Sequence, residues 1–120
     1  MYQAEQLNER TKQFAIRVEK VFRALPRTDE AKVIGRQVLR SGTSIAANYR
    51  AACRSRSKAE FVSKIGIVVE EADETVFWLE LLVETGTIKK DKMENMIVEA
   101  NELLAIFAAS QSTAKRSMGK

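Results

Sequence analysis

Apolar residues recur along this chain at helical spacing, and the recurrence breaks three times. Leu7, Phe14, Val18, Val21 and Leu25 follow at steps of seven, four, three and four, which places them on one stripe of a helix. That helix is predicted from about Ala4 to Leu25. Pro26 stops it, because its ring carries no amide hydrogen and clashes with the preceding turn. Thr28 or Asp29 then caps a second helix from about Glu30 to Arg54, with the stripe Ile34, Val38, Ser41, Ile45, Asn48 and Ala52. Within it the run Arg40 to Ser44 is a poor helix former, since Gly42 alone costs about 1 kcal/mol relative to Ala. The apolar phase nevertheless continues through Ile45 and Tyr49, which favours one unbroken helix.

Gly35, Gly42 and Ala46 share one side of that helix, where another helix can approach closely. Asn48 and Ser41 are polar residues on its core face and are expected to bond neighbouring helices and fix their register. Ser57-Lys58-Ala59-Glu60 reads as a capping box that opens a third helix, with Gly86 as its left-handed stop. This helix carries two apolar seams. One is Phe61, Ile65, Val68, Ala72, Thr75, Leu79 and Leu82; the other is Val62, Val69, Val76 and Val83. Phe77, Trp78 and Leu81 widen the apolar surface beyond the roughly 100° that a bundle helix needs. Part of it is therefore expected to face another subunit. Asp91-Lys92-Met93-Glu94 resembles a second capping box, and Met93, Ile97, Ala100, Leu104 and Phe107 form the fourth stripe. The expected architecture is all-α, an antiparallel up-and-down four-helix bundle over residues 1–110. Residues 111–120 show no apolar pattern and are expected to be a mobile basic tail.

Composition agrees and adds few constraints. A chain of 120 residues builds one core. Five glycines and one proline are too few turn formers for a many-stranded sheet protein. No apolar run nears the roughly 20 residues that cross a bilayer, and the polar N-terminus lacks a signal-peptide core. The single cysteine, Cys53, permits no internal disulfide, so a cytoplasmic location is expected.

Charge is segregated by element. Residues 28–57 carry six cations and two carboxylates, whereas residues 58–86 carry two cations and seven carboxylates. Arg36, Arg40, Arg50 and Arg54 form one stripe of the second helix, spanning about 27 Å at 1.5 Å per residue. Arg56 and Lys58 extend it. Such a stripe is a candidate nucleic-acid site, because the guanidinium fork matches phosphate oxygens. The competing reading pairs these arginines with the acidic third helix, inside one subunit or between subunits. Tyr49 is the only aromatic residue interleaved with the stripe.

No catalytic, cofactor or metal site is expected. The chain has no histidine, the commonest general base. Glu70 and Glu74 share a face that Mg²⁺ could use, but no second carboxylate cluster complements them. Cys53 has neither a base nor a resolving thiol, and the glycines form no phosphate loop.

The run Leu39 to Arg50 (LRSGTSIAANYR), with Ser57-Lys58-Ala59-Glu60-Phe61, Glu70-Glu71-Ala72-Asp73-Glu74-Thr75 and Trp78-Leu79-Glu80-Leu81-Leu82, resembles the bacterial four-helix-bundle family encoded by intervening sequences of 23S rRNA genes. The likeness covers roughly residues 5 to 108. It implies an antiparallel bundle assembling as a homopentamer, and no catalytic residues. The sequence is also similar to the accessory variability protein of diversity-generating retroelements, which implies RNA or DNA and a reverse transcriptase as partners. The function expected is a non-enzymatic, nucleic-acid-associated oligomer acting as an RNA adaptor or chaperone. The alternative is a protein-protein scaffold whose arginines form structural ion pairs.

Overall fold

The computed structural model describes residues 2–119, with Tyr2 described for its backbone only. Four helices follow in order: α1 (Tyr2–Ala24), α2 (Asp29–Cys53), α3 (Lys58–Glu84) and α4 (Lys90–Met118). Each packs antiparallel against the next, and α1 meets α4 only along a short seam. The result is an all-α four-helix bundle measuring 51 × 22 × 20 Å.

The boundaries follow from local chemistry. Thr28 is the cap of α2, its hydroxyl accepting the Ala31 amide at 3.2 Å. Ser57 caps α3 by accepting the Glu60 amide at 3.1 Å. The return bond from Glu60 goes one residue beyond the usual box, to the Arg56 amide at 3.0 Å. At the other end of α3, Gly86 adopts φ +75°. The Thr87 amide then reaches the Leu82 carbonyl and the Gly86 amide reaches the Val83 carbonyl, each at 3.0 Å. This is a Schellman stop, and it needs a residue tolerant of positive φ at Gly86. The second capping box does not form: α4 begins after Lys89, which makes no side-chain cap bond.

The core runs the length of the bundle through Phe14, Val18, Val38, Ile45, Ile65, Val68, Leu79, Leu82, Leu103 and Phe107. The glycine side of α2 faces α1. A Cβ at Gly42 would lie 2.8 Å from Val18 Cγ2, so the absence of one permits the close approach. The seven-residue gap in the α1 stripe is filled by Thr11, fully buried, whose hydroxyl donates to the Leu7 carbonyl at 2.8 Å.

Two expectations about faces are corrected, and a third holds. Tyr49, not Asn48, enters the core of α2; Asn48 is half-buried and its amide donates to Ser44 of its own helix, to the carbonyl at 2.9 Å and the hydroxyl at 2.7 Å. Ser41 does bridge helices, since Thr75 Oγ1 on α3 lies 2.9 Å from Ser41 Oγ. Ser41 also donates to the Gln37 carbonyl at 2.8 Å. On α4 the deepest positions are Met93, Met96, Ala100, Leu103 and Phe107, while Ile97 and Leu104 sit at the edge.

The expected end of the fourth helix near residue 110 is also corrected, because α4 continues to Met118; of the tail expected over 111–120, Lys120 lies outside the described residues. Ala, Gln, Lys, Arg and Met are good helix formers. The antiparallel start of α3 gives these turns a surface: Gln111 packs against Gly66, and Lys58 Nζ donates to Ser117 Oγ at 2.5 Å.

Candidate nucleic-acid interface

Helical geometry turns Arg36, Arg40, Arg50 and Arg54 away from the core, because residues four and eighteen apart in a 3.6-residue helix share a face. All four are exposed, as are Arg56 and Lys58 in the turn and first residue that follow. Their electrostatic environments differ. Arg40 spans to α3, where its Nη2 lies 2.5 Å from Glu74 and its Nη1 3.2 Å from Glu71. These two carboxylates hold the Arg40 guanidinium pKa above its ordinary value. Glu74 in turn accepts the Trp78 indole N–H at 3.2 Å. That bond, then Arg40, lowers its carboxyl pKa. Arg40 is thus part of the α2–α3 joint, as the pairing alternative requires.

Arg36, Arg50 and Arg54 have no carboxylate within ion-pair distance among the described residues. The other interhelical ion pairs are on the α1–α4 seam. There Arg10 forks onto Glu99 at 2.7 and 2.8 Å and reaches Glu102 at 2.5 Å. The acidic face of α3 therefore neutralises one arginine of the stripe and leaves three.

Where the stripe crosses Thr43, Ala46 and Ala47, the small side chains leave a groove of about 590 Å³ between α1 and α2. Lys12, Arg50 and Arg54 stand on its rim together with Glu5 and Glu9. Cys53 opens onto it as an exposed free thiol, 3.6 Å from the Asn8 amide. Tyr49 does not reach it. The ring is 5% exposed and packs on Phe107 with centroids 4.9 Å apart. Burial, then a bond to Cys53, pushes its phenol pKa up. A stacking role for Tyr49 is thereby removed.

Two cations that sequence reasoning set aside join this region. Lys115 and Arg116 lie on the last turns of α4, which Lys58 holds against the start of α3 through Ser117. Their signal was present in the chain: Phe107, Gln111, Ala114 and Met118 keep steps of four, three and four. The weak hydrophobicity of Gln and Ala hid the continuation. Among the described residues, no group of three or more histidines, cysteines or carboxylates is placed to hold a metal. No helix of the described residues is long and apolar enough to cross a membrane.

No curated protein matches the chain. Among solved structures, a protein with unknown function from the S23 ribosomal protein family of Bacteroides thetaiotaomicron superposes with a TM-score of 0.84 at 32% sequence identity. The match covers 91% of this chain and 97% of that one. The 23S rRNA-intervening sequence protein family matches residues 5–109. With the four antiparallel helices and their arginine-bearing second helix in place, the chain belongs to the 23S rRNA-intervening sequence protein family.

Proposed function

We propose that the protein is a non-enzymatic, self-associating bundle that binds nucleic acid through exposed basic side chains. The observation that carries this reading is the exposure of Arg50 and Arg54 near the end of α2 with no carboxylate partner among the described residues. Unpaired guanidinium groups cost nothing to dehydrate from an existing ion pair, and each one that meets a phosphate releases a condensed counterion. RNA and DNA both offer that backbone. Fluorescence anisotropy with labelled RNA over a range of salt concentrations tests the reading. The log of the affinity should fall linearly with log salt, with a slope of roughly −0.7 to −0.9 per phosphate contact. Binding that is absent at low salt, or insensitive to salt, refutes it.

Self-association rests on α3. Its second apolar seam is largely absorbed within the chain, since Val76 is buried and Val69 and Val83 pack against the core. Phe77 is left 54% exposed, stacked edge-on against Trp78 at 4.9 Å. An exposed aromatic pair of this kind favours burial against a second copy. Sedimentation at micromolar concentration should give a mass well above 13.5 kDa; a clean monomer removes this half of the proposal.

A further inference from the structure

Two unrelated parts of the chain meet at one end of the bundle, and both are purely cationic. Residues 50–58 contain Arg50, Arg54, Arg56 and Lys58 and no carboxylate; residues 111–119 contain Lys115 and Arg116 and no carboxylate. Interhelical contacts set their relative height. Thr75 against Ser41 fixes the register of α2 on α3 and brings Arg54 level with residue 62 of α3. Gln111 against Gly66 fixes α4 on α3 and brings Lys115 to the same level. Helices α2 and α4 are diagonal in the bundle, so these charges stand on opposite corners, with Arg56 and Lys58 between them at the tip. Interaxial spacings of about 8–10 Å and a cross-section of 22 × 20 Å confine the whole set to the width of one nucleic-acid duplex.

The opposite end is different. There Arg27, Lys89, Lys90 and Lys92 alternate with Asp29, Glu30, Glu84 and Asp91. Among the described residues, the carboxylates near the cationic end are Glu5 and Glu9 on α1 and Glu60 on α3. Glu60 is engaged by the Arg56 amide and by Lys64 Nζ at 3.9 Å. Neither Glu5 nor Glu9 forms an ion pair among the described residues.

We infer that this collar of Arg54, Arg56, Lys58, Lys115 and Arg116 is the main phosphate-backbone site, and that nucleic acid docks across the end of the bundle rather than along the α2 face. The inference rests on the proposed nucleic-acid function and specifies where it is exercised. Guanidinium groups supply most of the collar, and they donate paired hydrogen bonds to phosphodiester oxygens. Contacts made from corners on two diagonal helices read backbone and shape, not base edges.

The test uses the full chain and three proteins: wild type, Arg54→Gln/Arg56→Gln/Lys115→Gln/Arg116→Gln, and Arg36→Gln. Arg36 lies about 27 Å along α2 from Arg54 and reports on the lateral face alone. All five substituted positions are exposed, and circular dichroism confirms that each variant folds. The probes are a 20-base-pair RNA duplex and vesicles of phosphatidylserine and phosphatidylcholine. The collar variant should lose a salt slope of roughly 3, or 0.7–0.9 for each of four contacts, while Arg36→Gln binds like wild type. A collar variant with unaltered affinity and slope, beside a weakened Arg36→Gln, overturns the collar and leaves the nucleic-acid reading standing. Wild type without salt-dependent RNA binding overturns both. Collar-dependent binding to the vesicles without binding to RNA overturns nucleic acid as the occupant.

Discussion

Adding one methyl group to α2 should have opposite consequences at its two buried glycines. In a helix interior, replacing Gly by Ala gains about 1 kcal/mol of propensity, so the sign of the net effect depends on what the new Cβ meets. At Gly42 it would lie 2.8 and 3.0 Å from the two γ-methyls of Val18 and 3.3 Å from its Cβ. Val18 is fully buried. As a β-branched residue in a helix it has one favoured rotamer, so it cannot swing aside and α1 itself must move. Overpacking of this kind costs about 1–3 kcal/mol, which cancels or exceeds the propensity gain. At Gly35 the closest atom, at 2.5 Å, is Leu25 Cδ1, with Phe22 Cδ1 next at 3.2 Å. Leu25 is half-buried beside the α1–α2 turn, and its terminal methyl moves by one side-chain rotation. Gly35→Ala should therefore hold or raise stability, and it should exceed Gly42→Ala by about 1–2 kcal/mol. With a urea slope of about 2 kcal/mol/M, the midpoints should differ by roughly 0.5–1 M. Urea unfolding followed by circular dichroism measures this. Both variants are held at one protein concentration, because association shifts apparent stability. Equal midpoints, or Gly42→Ala as the more stable variant, would refute the claim that the α1–α2 approach depends on a missing Cβ at Gly42.

Three other outcomes are expected. The Arg10 fork holds the Glu99 carboxyl below its ordinary value of 4.5; a depressed folded pKa stabilises above the unfolded value and is lost as pH falls through the folded one. Stability should therefore drop below about pH 4.5, and Glu99→Gln should flatten that drop; an unchanged acid limb in urea titrations would contradict it. Ser41→Ala and Thr75→Val should be coupled by about 0.5–1.5 kcal/mol in a double-mutant cycle, because each removes the same buried interhelical bond, and strict additivity would show that the bond contributes nothing. Phe77→Ser should lower the sedimenting mass without unfolding the chain, whereas an unchanged mass would move the self-association surface away from α3.

The helices, their stops and the fold class were legible in the chain because they depend on nearest neighbours. Pro26, the Thr28 and Ser57 caps and Gly86 act within four residues of themselves, and the apolar steps report which face of a helix avoids water. The sequence also determined that α2 is continuous through Gly42 and that its arginines share an outward face. Periodicity alone left each stripe uncertain by about one position, since 3.6 is not a whole number. Only packing decided that Tyr49 rather than Asn48, and Leu103 rather than Leu104, point inward. Tertiary structure likewise divided chemically identical arginines, pairing Arg40 with Glu71 and Glu74 across the α2–α3 joint and leaving Arg36, Arg50 and Arg54 exposed. It also extended α4 beyond its last strongly apolar residue. A helix end with weak hydrophobicity is fixed by the neighbour it lies against, here the first turns of α3. Lys115 and Arg116 stand at the same end of the bundle as Arg54, some sixty positions away in the chain, because the antiparallel register of α2, α3 and α4 sets them at one level.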